Sequence, residues 1–100
     1  MKNMQAEKVV NLYLEANPNP NSLKCVANFM IVTEGQSHDF TDKASAENAP
    51  LAAELHDYDF VDRVFYMNNF VTVTKTEDVE WVEIRGKIKE HIQNYLESGK

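Results

Sequence analysis

Between Val61 and Lys75, apolar and polar positions alternate in two runs on either side of Asn68-Asn69. The first run centres on Val64-Phe65-Tyr66. The second, Phe70-Val71-Thr72-Val73-Thr74, sets large apolar residues against threonine. Aromatic and β-branched residues at a period of two predict strands. Asn accepts a positive φ better than other non-glycine residues, so Asn68-Asn69 predicts the turn of a β-hairpin. A two-residue loop opposes Tyr66 to Val71 and Val64 to Val73. These four then share one face, and Phe65, Phe70 and Thr72 share the other. A three-residue loop starting at Met67 would flip one strand, and the pattern leaves that register open.

The same reading places the other elements. Met1 to Glu7 carries no periodicity and reads as loose. Val9 to Glu15 alternates Leu12 and Leu14 against Tyr13 and predicts a first strand, although its Leu, Glu and Ala also suit a helix. Leu23 to Val26 predicts a second strand and Phe29 to Thr33, a compact apolar run, another. Glu34 to Ser37 is a turn, His38 to Phe40 a short strand, and Thr41 to Glu47 irregular. Pro50 suits the first turn of a helix, and Leu51, Leu55 and Tyr58 follow on one stripe, predicting a helix over Ala49 to Tyr58. Trp81, Ile84, Ile88, Ile92 and Tyr95 recur at three and four, predicting a second helix from Val79 to Ser98. Gly86 inside it predicts a kink or a late start, and Gly99 a stop. This order predicts an α+β domain over residues 1–100: a mostly antiparallel sheet of about four strands with two helices packed on one face.

Asn17-Pro18-Asn19-Pro20-Asn21 interrupts the pattern before the second strand. Each proline fixes its own φ and pushes the residue before it to extended geometry, while Asn side chains cap nearby amides. The stretch reads as a stiff connection at or beyond a sheet edge, and as a loop a partner could recognise.

Composition narrows the function. A hydrophobic fraction of 43% and a charged fraction of 26% suit one globular domain. The formal net charge of −6 disfavours nucleic acid and anionic lipid as partners. The polar start, without an apolar signal core, predicts a cytoplasmic location. Cys25 is the single cysteine; in a strand it reads as a small buried hydrophobe. His38, His56 and His91 fit no zinc spacing, and the last two read as solvent-facing or helix C-terminal residues. Asp57, Asp59 and Asp62, with Glu54 close by, cluster before the hairpin and could meet a cation or a basic partner, or stay solvated. No Gly-rich phosphate loop and no serine-nucleophile motif is present, which points away from an enzyme.

Three stretches in order, Asn17 to Lys24 (NPNPNSLK), Ala49 to Leu55 (APLAAEL) and Val64 to Lys75 (VFYMNNFVTVTK), followed by Trp81, resemble the N-terminal domain of the NifU-like (Nfu) scaffold and carrier proteins of iron–sulfur cluster maturation. The chain departs from the family pattern at Cys25 (usually Phe), at Phe60 (Gly), at Met67 and Asn68 (Gly and Pro at the turn) and at Gly86 (Pro). In that family the cluster is held by a separate C-terminal domain through a CxxC pair. The resemblance therefore implies an accessory role: no cofactor in this chain, an iron–sulfur cluster in a full-length protein carrying the CxxC domain, and a linker starting near residues 98–100. The implied partners are that cluster-bearing domain, client apoproteins and the assembly machinery. The candidate contact surface is Asn17, Pro18, Asn19, Pro20 and Asn21, with Phe65, Phe70, Asp57, Asp59 and Asp62. A general interaction module unrelated to iron, or a small-molecule-binding domain, are the alternatives.

Overall fold

A computed structural model describes residues 10–98. Five strands, β1 (Leu12–Ala16), β2 (Ser22–Ala27), β3 (Ser37–Phe40), β4 (Val61–Met67) and β5 (Phe70–Lys75), form one antiparallel sheet in the order β1-β2-β5-β4-β3. Helix α1 (Pro50–Leu55) and the long helix α2 (Trp81–Glu97) pack on one side of it. The α+β expectation holds, with five strands in place of about four.

The predicted hairpin is the sheet's centre. Tyr66 opposes Val71, Val64 opposes Val73, and Met67 opposes Phe70, so the loop is the two-residue Asn68-Asn69. Asn68 is the one described non-glycine residue with a positive φ, 47°. Val64, Tyr66, Val71 and Val73 all point into the core, where they meet Leu51, Leu55, Ile88 and Ile92. Burying side chains of this size is worth about 1.5–3 kcal/mol each, which makes this face the main source of stability.

Phe29 to Thr33 is not a strand. The segment wraps the hairpin turn instead: Ile31 and Val32 donate their amides to the Asn68 carbonyl (2.7 and 3.1 Å), and Ala27 donates to that of Asn69 (2.7 Å). Phe29, Ile31 and Val32 still pack against the core, so the apolar run reports burial and not a ladder. Helix α1 stops at Leu55, earlier than expected; His56 caps it and Tyr58 reaches the core from the following turn. Helix α2 starts at Trp81 and runs unbroken for 17 residues through Gly86, without the expected kink or late start. A single exposed glycine costs helix propensity but breaks no hydrogen bond, and the flanking Ile84 and Ile88 hold the helix to the sheet. The predicted loose Met1 to Glu7 and the Gly99 stop lie outside the described residues.

A Cβ added at Gly86 would meet nothing within 4 Å. Gly86→Ala is therefore expected to stabilise the domain by about 0.5–1 kcal/mol in urea unfolding, while Ile88→Ala at a fully buried position costs about 2–5 kcal/mol.

Candidate functional site

The proline loop is built from its own side chains and clamped from two remote segments. Asn19 donates its amide to Asn17 Oδ1 (3.0 Å), and Asn21 to Asn19 Oδ1 (2.9 Å). These successive side-chain-capped turns are what alternating Asn and Pro predict. The Ser22 and Thr74 hydroxyls share a hydrogen bond of 2.7 Å, and the Lys75 amide donates to the Asn21 carbonyl (2.8 Å). Trp81 Nε1 donates to the Pro20 carbonyl (2.9 Å). Lys75 is the keystone. The alternation Val71, Val73, Lys75 carries it inward, and it is only 7% exposed. Its Nζ donates to Asn21 Oδ1 (3.0 Å) and the Thr76 carbonyl (3.2 Å) and lies 5.8 Å from the centre of the Trp81 ring. A buried ammonium is costly unless hydrogen-bonded, so these acceptors bind loop, strand end and helix start into one unit.

The strand pairing fixes the composition of the sheet's other face, which no helix covers among the described residues. One row across the strands is Tyr13, Val26, Phe70 and Met67. The next is Glu15, Lys24, Thr72, Phe65 and Asp39. Phe65 and Phe70 are half-buried, their ring centres 6.4 Å apart, with Lys24 Nζ 4.1 Å from the Phe70 ring centre. Tyr13 is 57% exposed. The cations of this face are already matched: Lys24 pairs with Glu15 (3.3 Å), and Arg63 grips Asp39 with two nitrogens. Hydrogen bonding from Arg63 holds the Asp39 carboxyl below the usual carboxylate range.

The acidic cluster expected from the sequence is not one group. Asp57 pairs with Lys43. Asp59 is exposed. Asp62 is the extra residue of a β-bulge between Val61 and Arg63, and there it joins Glu77 and Asp78 around a cleft of about 640 Å³ that also borders Asn19, Asn21 and Lys75. That cleft runs into the open sheet face, with which it shares Asn19, Arg63 and Thr74. Asp62, Phe65, Phe70 and the proline loop thus come together, and Asp57 and Asp59 do not join them. Glu77 and Asp78 were absent from the expected surface, although they follow Lys75 directly in the chain.

His38 is exposed, His56 takes the C-terminal cap of α1, and His91 is half-buried. His91 Nε2 lies 2.8 Å from Glu54 Oε1, and its Nδ1 lies 2.9 Å from the Tyr58 hydroxyl. A carboxylate only accepts, so Nε2 donates to Glu54, and the two contacts tie α2 to α1 and to the turn after it. A ring nitrogen of His56 lies 2.9 Å from the Phe40 carbonyl. Among the described residues, no three His, Cys, Asp or Glu side chains are grouped to hold a metal ion. Cys25 is fully buried, and burial pushes its thiol up to about 12. An iron–sulfur cluster is ligated by several thiolates; a lone thiol held protonated inside the core does not fit one.

The chain belongs to the family of the Nfu/NifU scaffold protein N-terminal domain, whose model matches residues 12–99. It is 30% identical over 98% of its length to the "NFU1 iron-sulfur cluster scaffold homolog, mitochondrial" of Drosophila ananassae, covering 35% of that protein. It is 36% identical over 85% of its length to "NifU-like protein 4, mitochondrial" of Arabidopsis thaliana, covering 30% of that protein. The chain thus spans about a third of the length of these relatives. The solution structure of a NifU-like protein from Saccharomyces cerevisiae shares the fold, with a TM-score of 0.77 and 24% identity over 96% of this chain and 84% of that one. The relatives' mitochondrial names overturn the cytoplasmic location expected from the polar start and point to mitochondria. The polar start carries no information about organelles.

Three outcomes follow from the clamp and the buried thiol. Asn21→Ala strips the buried Lys75 ammonium of an acceptor and is expected to cost about 1–3 kcal/mol in urea unfolding. Cys25 should resist a thiol-specific reagent in the native state and react only on unfolding. Its raised value means the folded state keeps its proton longer than the unfolded chain does. The stability so contributed is complete below the ordinary thiol range and is lost as pH rises from there towards about 12; unfolding midpoints measured across that window should fall.

Proposed function

We propose that this chain is a non-enzymatic docking domain of an iron–sulfur scaffold or carrier protein, making protein contacts while the cluster is held by a CxxC domain elsewhere. Family membership supplies the iron–sulfur context. The observation that supports docking is the uncovered sheet face running into the clamped proline loop: a surface set rigidly by Lys75 and Trp81, with no reactive group aimed into it. Rigid placement lowers the entropy lost on association, which is what a contact surface needs. Asn17, Pro18, Asn19, Pro20, Asn21, Phe65, Phe70 and Asp62 are the residues we assign to it. Asp57 and Asp59 are left out, since neither borders the face or the acidic cleft.

A second reading has one observation in its favour. A cleft of about 600 Å³ with mixed polar and apolar walls lies between the Phe29–Val32 segment and Ala49–Leu51, with His38, Glu47, Tyr66 and Leu96 in its lining. That volume is in the range of small-ligand pockets.

The docking reading is tested by joining this domain to a cluster-loaded CxxC domain and following transfer to an apo-ferredoxin by circular dichroism. Transfer should be faster with the domain than without it, and Phe65→Ser/Phe70→Ser should remove most of the gain. Equal transfer with and without the domain would rule the reading out. The chain alone should stay colourless after attempted cluster reconstitution.

A further inference from the structure

The open face is asymmetric along its strands. At the hairpin-turn end lies the apolar row of Tyr13, Val26, Phe70 and Met67. At the other end, past Thr74 and Arg63, lie Asp62, Glu77 and Asp78. None of these three carboxylates is in a salt bridge among the described residues, although Thr76 hydrogen-bonds Asp78, and Lys75 and Arg63 act electrostatically on Asp78 and Asp62; Lys24 and Arg63 are matched by Glu15 and Asp39. Three carboxylates against the one Lys75 ammonium, whose acceptors Asn21 Oδ1 and the Thr76 carbonyl are neutral, leave that end of the surface net negative. From Phe70 to Lys75 the strand advances five steps, about 17 Å at ~3.4 Å per residue.

Resting on the docking reading, we propose that the partner is a protein segment that is apolar at one end and basic at the other. Its apolar or aromatic side chain lies on the Tyr13–Met67 row, and its Lys or Arg side chains reach Asp62, Glu77 and Asp78, about 17 Å away along the strands. A second copy of this chain is a poor occupant. It carries a net charge of −6 and would bring its own carboxylates to the same surface. The face is also small: five strands ~4.8 Å apart and ~17 Å long present on the order of 300–400 Å², about half of what each partner of a stable interface buries. Contact of that size is transient, and the chain's negative field steers a basic partner towards it.

The test uses two synthetic peptides. One has a leucine and a phenylalanine at one end and three lysines at the other, spaced to span the face; the second has glutamates in place of the lysines. Each is titrated into the full chain while amide chemical shifts are recorded at low and at physiological salt. The lysine peptide should bind, shifting Tyr13, Met67 and Phe70 at one end and Asp62 and Glu77 at the other. The glutamate peptide should not bind. Salt should weaken binding, and the surface variant Asp62→Asn/Glu77→Gln/Asp78→Asn should weaken it about tenfold, as expected for three exposed charge pairs. An unchanged circular dichroism spectrum of the variant checks that it is folded. Equal binding of both peptides, shifts confined to the helical face or the Phe29–Leu51 cleft, an unaffected triple variant, or a dimer of the chain alone in sedimentation would each overturn the proposal. Loss of transfer enhancement in Phe65→Ser/Phe70→Ser without any lysine-peptide preference would sink this inference and leave the docking reading standing. Absence of enhancement by the intact domain would remove both.

Discussion

A five-stranded sheet covered by helices on one side only must sort its residues by parity, and everything else in this domain depends on that sorting. Because successive side chains in a strand point to opposite faces, Val64, Tyr66, Val71 and Val73 go inward together and Phe65, Phe70 and Thr72 go outward together. A slip of one residue would bury threonines and expose valines. The two-residue turn at Asn68-Asn69 prevents the slip, and the Asn68 carbonyl, by accepting two amides from the Ile31-Val32 segment, also anchors the loop that closes that end of the core.

Parity also explains the buried ammonium. Lys75 is the last inward position of β5, and at the end of the sheet its neighbours are an Asn amide, a carbonyl and an indole in place of aliphatic groups. The long side chain crosses the apolar edge and finds acceptors on the proline loop. Two of the stretches that set this chain within its family, and the tryptophan that follows them, are thus not separate sites. NPNPNS, the TVTK end of β5 and Trp81 meet in one clamp, and the clamp presents the loop and the acidic cleft beside it. The most distinctive residues of the sequence act on shape, and the surface they shape is made of less distinctive ones.

Much of this was legible in the sequence because it rests on short-range rules. The hairpin, its turn, the loop's self-capping and both helical stripes follow from periodicity and from what Asn and Pro do to a local backbone. What misled were features whose outcome depends on distant partners. Phe29 to Thr33 has a strand's composition, but its amides are taken by a turn more than 35 residues away in the chain. His91 has a surface helix position, but Glu54 and Tyr58 reach it from α1 and its following turn. Asp57 and Asp62 are close in sequence, but the bulge at Asp62 turns it to the open face while Asp57 is drawn to Lys43.

The sequence by itself therefore determined most of the elements, the hairpin and its turn, the burial of the lone cysteine and the family. Each of these depends on alternation, turn chemistry or motif order, which are properties of neighbouring residues. Only the tertiary structure decided that Trp81 and Lys75 brace the proline loop, that the cations of the open face are already neutralised, and that Asp62, Glu77 and Asp78 lie together at one end of it. Those facts depend on which strand pairs with which and where a bulge falls, and charge patterns become surfaces only once that pairing is made.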